Sequence, residues 1–227
     1  MNVTAAHRRP ELVVLDVNET LSDLAPMAAA FGRVGLAGHE APAWFAGVLR
    51  DAFALTCVGE NPAFATIAAE AVRLRLAAAG VPDVDGGVDE VMTAFTSLGV
   101  HPDVVPGLTA LRRAGIRIVT LSNGSSAVAQ GLLERAGIAD AVERTLSVAD
   151  AGAWKPHPRA YAYALDACGV ASADAMLVAV HPWDVDGAAR AGLRTGWLRR
   201  RAAGYPSYAR PAEVTAGDLV ELAALLG

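Results

Sequence analysis

The chain has 227 residues, 53% hydrophobic and 19% charged, which suits one folded core carrying a sizeable insertion and excludes overall disorder. A formal net charge of −5 with no long basic face argues against nucleic acid as a partner. Glu60, Glu70, Arg73 and Arg75 interrupt the Ala-rich segments, so no apolar run is long enough to span a bilayer and no membrane contact is expected.

The opening stretch, Met1 to Pro10, is polar, carries His7, Arg8 and Arg9, and lacks the apolar centre of a secretory signal. Leu12 to Leu15 then reads as a strand covered on both faces, and Asp16 ends it, followed by the tight polar turn Val17 to Thr20. Taken alone, Asp16 would cap that turn; held at the carboxyl edge of a parallel sheet, it is also placed to act as a nucleophile. Helical spacing follows over Leu24 to Val34 and again over Pro42 to Val58, where Trp44, Phe45, Val48 and Leu49 recur on one face. Asn61-Pro62 reads as the start of a helix running to about Ala79, and Val88 to Leu98 as a fourth.

From Gly99 the pattern becomes strand and helix in alternation. Pro106 to Ala114 is read as a helix, Ile116 to Leu121 as a strand closed by Ser122-Asn123-Gly124, and Ser125 to Ala136 as a helix. Ala141 to Val148 contains a short strand, Pro158 to Cys168 a helix, and Ala175 to Val180 a third apolar strand leading into His181-Pro182-Trp183-Asp184. A helix to Ala191, a strand over Arg194 to Leu198 and a helix over Asp218 to Leu225 complete the chain. This alternation predicts an α/β fold with a doubly wound parallel sheet, Rossmann-like, interrupted by an all-helical insertion. Cys57 and Cys168 read as small buried hydrophobes of a reducing compartment, so a cytoplasmic location is expected; Arg199-Arg200-Arg201 reads as a solvated turn.

In a parallel sheet the strand ends share one edge, so Asp16, Thr20, Ser122, Asn123, His181 and Asp184 can converge there with Lys155 from the loop Gly152 to Pro156. The ordered set Asp16-x-x-x-Thr20, Leu121-Ser122-Asn123-Gly124, Lys155-Pro156 and Trp183-Asp184 resembles the motifs of the haloacid dehalogenase-like hydrolase superfamily. Leu121 to Ser125, with Lys155 and Tyr161, is most similar to the L-2-haloacid dehalogenase branch. The resemblance implies a core of residues 1–22 and 99–227 and a helical cap domain of residues 23–98. It implies hydrolysis of short (S)-2-haloacids to (R)-2-hydroxyacids through an ester on Asp16, no cofactor, a small-molecule partner and a homodimer. By the same resemblance Thr20 orients Asp16, Lys155 keeps it ionised, and Asp184 positions or activates the hydrolytic water. Ser122 and Asn123 bind the substrate carboxylate and departing halide, and Tyr161 supports Lys155 and the pocket.

The chain departs from that pattern at several places. Glu19 stands where the family has Gly, Asn18 where it has Tyr or Phe, and Ala179 and His181 where it has Ser and Asn. Phe45 matches the cap position of a halide-binding Arg, with Arg50 one or two turns further on. A pocket without that Arg lacks a charge-assisted donor, so halide stabilisation is weaker, or His181 or another cap residue partly substitutes. Two rival readings stay open: a Mg²⁺-dependent phosphatase of the same superfamily, and a member that binds a ligand without turnover. Against the phosphatase, Asn18 occupies the place of a general acid and Val180 that of a carboxylate in the magnesium shell.

Overall fold

The computed structural model describes residues 9–200 and 204–227; the N-terminal stretch as far as Arg8, and Arg201 of the arginine run, lie outside them. The sheet is built around β1, Leu12–Leu15, whose four residues are all fully buried. Strand β2 (Arg117–Ser122) pairs with it on one side and β4 (Ala175–Ala179) on the other, both parallel. Outside these lie β3 (Arg144–Ser147), β5 (Arg194–Leu198) and β6 (Val214–Ala216), giving the order β3-β2-β1-β4-β5-β6 with every pairing parallel. Successive side chains of a strand point to opposite faces. Leu12 and Val14 accordingly join one apolar cluster, with Trp44, Trp154 and Tyr161, while Val13 and Leu15 join another, with Leu108, Leu132 and Leu222. Two covered faces explain why β1 shows a continuous apolar run and not an alternating one.

Between β1 and β2 run five helices and no named strand; the first four are α1 (Met27–Arg33), α2 (Glu40–Cys57), α3 (Phe64–Ala78) and α4 (Val84–Thr96). Their shared interior is aromatic. Trp44 of α2 meets Phe95 of α4 edge-on at 5.7 Å, and Phe95 stacks on Phe64 of α3 at 5.0 Å. The segment leaves and rejoins the sheet at one neck, where the Asp23 N–H donates to the Gly99 carbonyl at 2.9 Å and Ser22 bridges Val100. On that neck we propose the division into core and helical cap at these positions. The remaining helices are α5 (Val104–Arg113), α6 (Ser126–Arg135), α7 (Val148–Ala151), α8 (Pro158–Cys168), α9 (Pro182–Arg190) and α10 (Leu219–Leu226).

Several expectations need correction. Asn61 does not cap α3, which starts at Phe64; its side-chain amide donates instead to the Val148 carbonyl at 3.2 Å. Helix α4 starts at Val84, four residues before the apolar spacing begins, because the Asp83 carboxylate accepts from the Gly86 N–H at 2.9 Å. Cys57, the last residue of α2, is exposed; Cys168 is buried. Among the described residues no helix is long and apolar enough to cross a membrane.

Candidate active site

Asp16 leaves β1 with its N–H donating to Val178 of β4 at 3.1 Å, so its direction is set by the sheet. Lys155 Nζ donates to Asp16 Oδ1 at 2.9 Å, and the Thr20 hydroxyl donates to Oδ2 at 2.6 Å. Thr20 is itself fixed, its oxygen accepting from the Val180 N–H at 3.1 Å. Lys155 lies in the loop between α7 and α8, and Asn123, at the end of β2, clasps its main chain. The Lys155 N–H donates to Asn123 Oδ1 at 2.9 Å, and Asn123 Nδ2 donates to the Lys155 carbonyl at 3.3 Å. The ammonium also donates to Asp184 Oδ2 at 2.6 Å, at the start of α9. Tyr161 of α8 donates to Asp184 Oδ1 at 2.7 Å. Gly187, one turn along α9, lets these groups approach: a Cβ there would lie 2.6 Å from the Tyr161 oxygen and 2.5 Å from Pro156.

Burial alone would raise the Asp16 carboxyl, but the Lys155 charge, a His181 hydrogen bond and charge, and the Thr20 hydroxyl together hold it well below the usual carboxylate range. Burial works against the Lys155 ammonium, yet the charges of Asp16 and Asp184 overcome it and push that group up. For Asp184 burial dominates and raises the carboxyl, with Lys155 opposing. Asp16 is therefore an ionised carboxylate with little water around it.

A second wall faces Asp16 from the other side. His181, just before α9, brings Nδ1 to 3.2 Å from Asp16 Oδ2 and Nε2 to 2.9 Å from Glu19 Oε2. Burial lowers the imidazole, but hydrogen bonds to Asp16 and Glu19 raise it further, to about 9. Its ring lies between Phe45 and Trp183, with centroids 6.4 and 5.0 Å away, where an imidazolium meets two aromatic π-systems. Glu19 is the one described non-glycine residue with positive φ, at 61°. A left-handed backbone costs a side-chain-bearing residue about 1–2 kcal/mol, which accounts for glycine being the easier choice there. Below the turn, Arg200 donates to the Thr20 carbonyl at 2.9 Å and pairs with both oxygens of Asp103 at 2.7 and 2.9 Å.

Two cavities border the turn that follows Asp16. The smaller, about 220 Å³, has a polar wall of Asn18, Ser122, Asn123 and Ser125 and an apolar wall of Phe64, Phe95 and Trp154. The larger, about 680 Å³, lies beyond Glu19 and His181 and is lined by Trp44, Phe45, Trp197 and Arg200 among others.

Asp16, Thr20, Lys155 and Asp184 thus meet in one network, as expected. Ser122 faces the smaller cavity while its oxygen accepts from the Gly124 N–H at 2.8 Å. Asn123 lines the same cavity but spends its amide on Lys155, and Tyr161 is fully buried against Asp184, bonding neither Lys155 nor either cavity. Phe45 and His181 belong to the opposite cavity, so the structure does not join them to Ser122 and Asn123. Arg50 points away, exposed and paired with Asp51. Two roles escaped the sequence. Arg200, read as part of a solvated turn, is a half-buried brace of the Asp16 turn, and Glu19 is the partner of His181. The signal for Glu19 was present in the departure from glycine, while nothing local marks Arg200.

A family model described as haloacid dehalogenase-like hydrolase matches residues 10–192. The chain is 29% identical over 189 residues to (S)-2-haloacid dehalogenase 1 of Pseudomonas sp. (strain CBS-3), covering 82% of this chain and 83% of that protein. It is 34% identical over 116 residues to haloacetate dehalogenase H-2 of Moraxella sp. (strain B), a match spanning 51% of this chain and only 52% of that relative. A crystal structure of a dehalogenase with an intermediate complex superposes with a TM-score of 0.89 at 26% identity, over 96% of this chain and 98% of the other.

Proposed function

The chain belongs to the haloacid dehalogenase-like hydrolases, and from that premise we propose that it hydrolyses short (S)-2-haloacids to (R)-2-hydroxyacids through an ester on Asp16. The observation that carries this reading is the state of Asp16: ionised, nearly dry, and aimed by Thr20 and Lys155 from a fully buried strand paired on both sides. A carboxylate becomes an effective nucleophile towards carbon under those conditions. It attacks the α-carbon opposite the halogen, the carbon–halogen bond breaks with its electron pair on the halide, and the centre inverts. The smaller cavity gives the acid a matching surround. Its carbon skeleton rests on Phe64, Phe95 and Trp154, and its carboxylate faces Ser122, the Asn18 amide and the first turn of α6. Lys155, shared between Asp16 and Asp184, keeps the nucleophile charged until the ester forms.

Asn18 favours halide over an ester alkoxide as leaving group. A phosphate ester needs its departing oxygen protonated, and a carboxamide two residues after the nucleophile cannot supply a labile proton, whereas halide needs none. The reading requires no metal. The test is halide release from (S)-2-chloropropionate in EDTA, run beside a generic phosphate ester with and without Mg²⁺, and followed by a single turnover in heavy-oxygen water. Halide release should survive EDTA, and the first hydroxyacid should carry unlabelled oxygen, with label left on Asp16. Activity confined to the phosphate ester and dependent on Mg²⁺ sinks the dehalogenase reading. Solvent label in the first product removes Asp16 as nucleophile.

A further inference from the structure

Glu19 and His181, two departures from the family pattern 162 residues apart in sequence, prove to be a single feature, since they hydrogen-bond to each other beside Asp16. We infer that they form a carboxylate–imidazole dyad which activates the water that cleaves the Asp16 ester, with that water drawn from the larger cavity. This inference rests on the ester proposed above.

Three observations carry it. The first is orientation: with the Nε2 proton donated to Glu19 Oε2, neutral His181 turns its Nδ1 lone pair towards the Asp16 carboxyl, 3.2 Å from Oδ2. That contact is direct, so the water enters beside it from the larger cavity, displacing Oδ2 from Nδ1 as it approaches Asp16 Cγ. The second is placement. Val17, Asn18 and Ser122 line the smaller cavity and Glu19, Val180 and His181 the larger, so the alkyl group and the water have separate spaces on the two sides of the Asp16 turn. The third concerns the competing base. Asp184 has no exposed surface, lines neither cavity, and has one oxygen bonded to Lys155 and the other to Tyr161. It is built to hold Lys155, while His181 is built to meet water.

The protons balance. At rest His181 is an imidazolium between two carboxylates, Asp16 and Glu19. Lys155 stands on the other side of Asp16, Arg200 binds the Thr20 carbonyl, and His101 contacts the Glu19 carbonyl at 3.1 Å. Forming the ester removes the charge of Asp16, so His181 gives up its Nδ1 proton to solvent as halide departs, and the net loss is one hydrogen halide. Water then attacks Cγ and passes one proton to His181, and the Cγ–O bond to the alkyl group breaks. The second proton of water ends on the product hydroxyl, leaving Asp16 as carboxylate and His181 again as imidazolium. Glu19 acts through His181 and is a positioning residue.

The test begins with wild-type enzyme and (S)-2-chloropropionate, measuring halide burst and intact mass. If neither halide nor an adduct on Asp16 is seen, the covalent reading itself has failed, and the dyad with it. With that burst established, His181→Asn and His181→Gln should keep a stoichiometric first release of halide, accumulate the ester, and lose turnover by about 10²–10⁴-fold. Glu19→Gln should slow ester breakdown and move its acid limb to lower pH, because His181 loses one of the carboxylates that hold its proton. Asp184→Asn should weaken the first burst and trap no ester. The dyad is overturned if the His181 variants turn over normally, if they lose the burst without forming ester, or if Asp184→Asn is the variant that traps ester. Circular dichroism identifies a misfolded variant, and Glu19→Gln then decides by its pH profile.

Discussion

On one side of Asp16 stand Lys155, Asp184, Tyr161 and Asn123, buried and bonded mainly to one another; on the other stand Glu19 and His181, facing a cavity of about 680 Å³. The first group follows the family motifs and is satisfied internally, as buried charges must be. The second departs from the motifs, includes a strained backbone, and puts a titratable ring at the edge of open space. One wall therefore holds the nucleophile's charge, and the other is free to exchange protons. Variants on the two walls should fail in different ways.

The largest effect is expected at Lys155. Replacing it with Met leaves the Asp16 and Asp184 carboxylates buried without their cation, a change that costs about 3–5 kcal/mol. Denaturant midpoints should fall accordingly, and first-turnover halide release should drop to background, because burial then raises the Asp16 carboxyl with one fewer charge opposing it. A variant with near-normal burst would remove charge holding as the task of this wall. Gly187→Ala strikes the same wall from behind, driving a methyl into Tyr161 and Pro156 and costing about 1–3 kcal/mol. The burst should weaken along with stability, since Asp184 and through it Lys155 are displaced; a change in stability alone would show that Tyr161 serves only packing.

The other wall should reveal itself through pH. His181 binds its proton more tightly folded, at about 9 against an ordinary 6.5. Its contribution to stability is therefore complete below pH 6.5 and lost as pH rises through about 9. Unfolding midpoints measured across that window should decline for the wild type and flatten for His181→Gln; parallel curves would rule out the imidazolium. The smallest change in stability is expected for Glu19→Gly. Relief of the left-handed backbone returns about 1–2 kcal/mol, offset by loss of a charged hydrogen bond of about 1.5–3 kcal/mol, so the two largely cancel and the net runs from a gain of about 0.5 to a loss of about 2 kcal/mol. The His181 titration, followed by NMR, should nevertheless move down. A fixed titration would mean that Asp16 alone holds the proton.

The core strands were readable because β1 and β4 are continuous apolar runs and β2 carries Ile118, Val119 and Leu121 broken only by Thr120, a pattern that double coverage imposes directly on sequence. Strand β6 has only three residues, one of them the exposed Thr215, and short helix α7 four, too few for any period to register. Lys155 and Asp16 are 139 residues apart, and their meeting followed from the shared edge of a parallel sheet together with the order of the motifs. No such rule predicts that Asn123 would grip the Lys155 main chain or that Tyr161 would choose Asp184, because side-chain partners depend on distances finer than topology fixes. Phe45 shows the same boundary. Its aromatic spacing placed it correctly on the buried face of α2, yet which cavity that face borders depends on how the helix leans against the core.

The central position of β1 also has a bearing on the order in which the molecule assembles. The strand that carries Asp16 precedes both of its neighbours, which begin at Arg117 and Ala175, so one edge stays unpaired until β2 is made and the other until β4, late in the chain. The four helices that follow it draw their contacts from nearby sequence, and local contacts form early. During synthesis the helical segment is therefore the first part able to settle, while β1 presents two open hydrogen-bonding edges of wholly apolar sequence, a state prone to pairing with other chains. The same centrality that holds Asp16 between two parallel strands in the finished protein leaves β1 open on one side until β4 is made, and exposed to misassembly on the way.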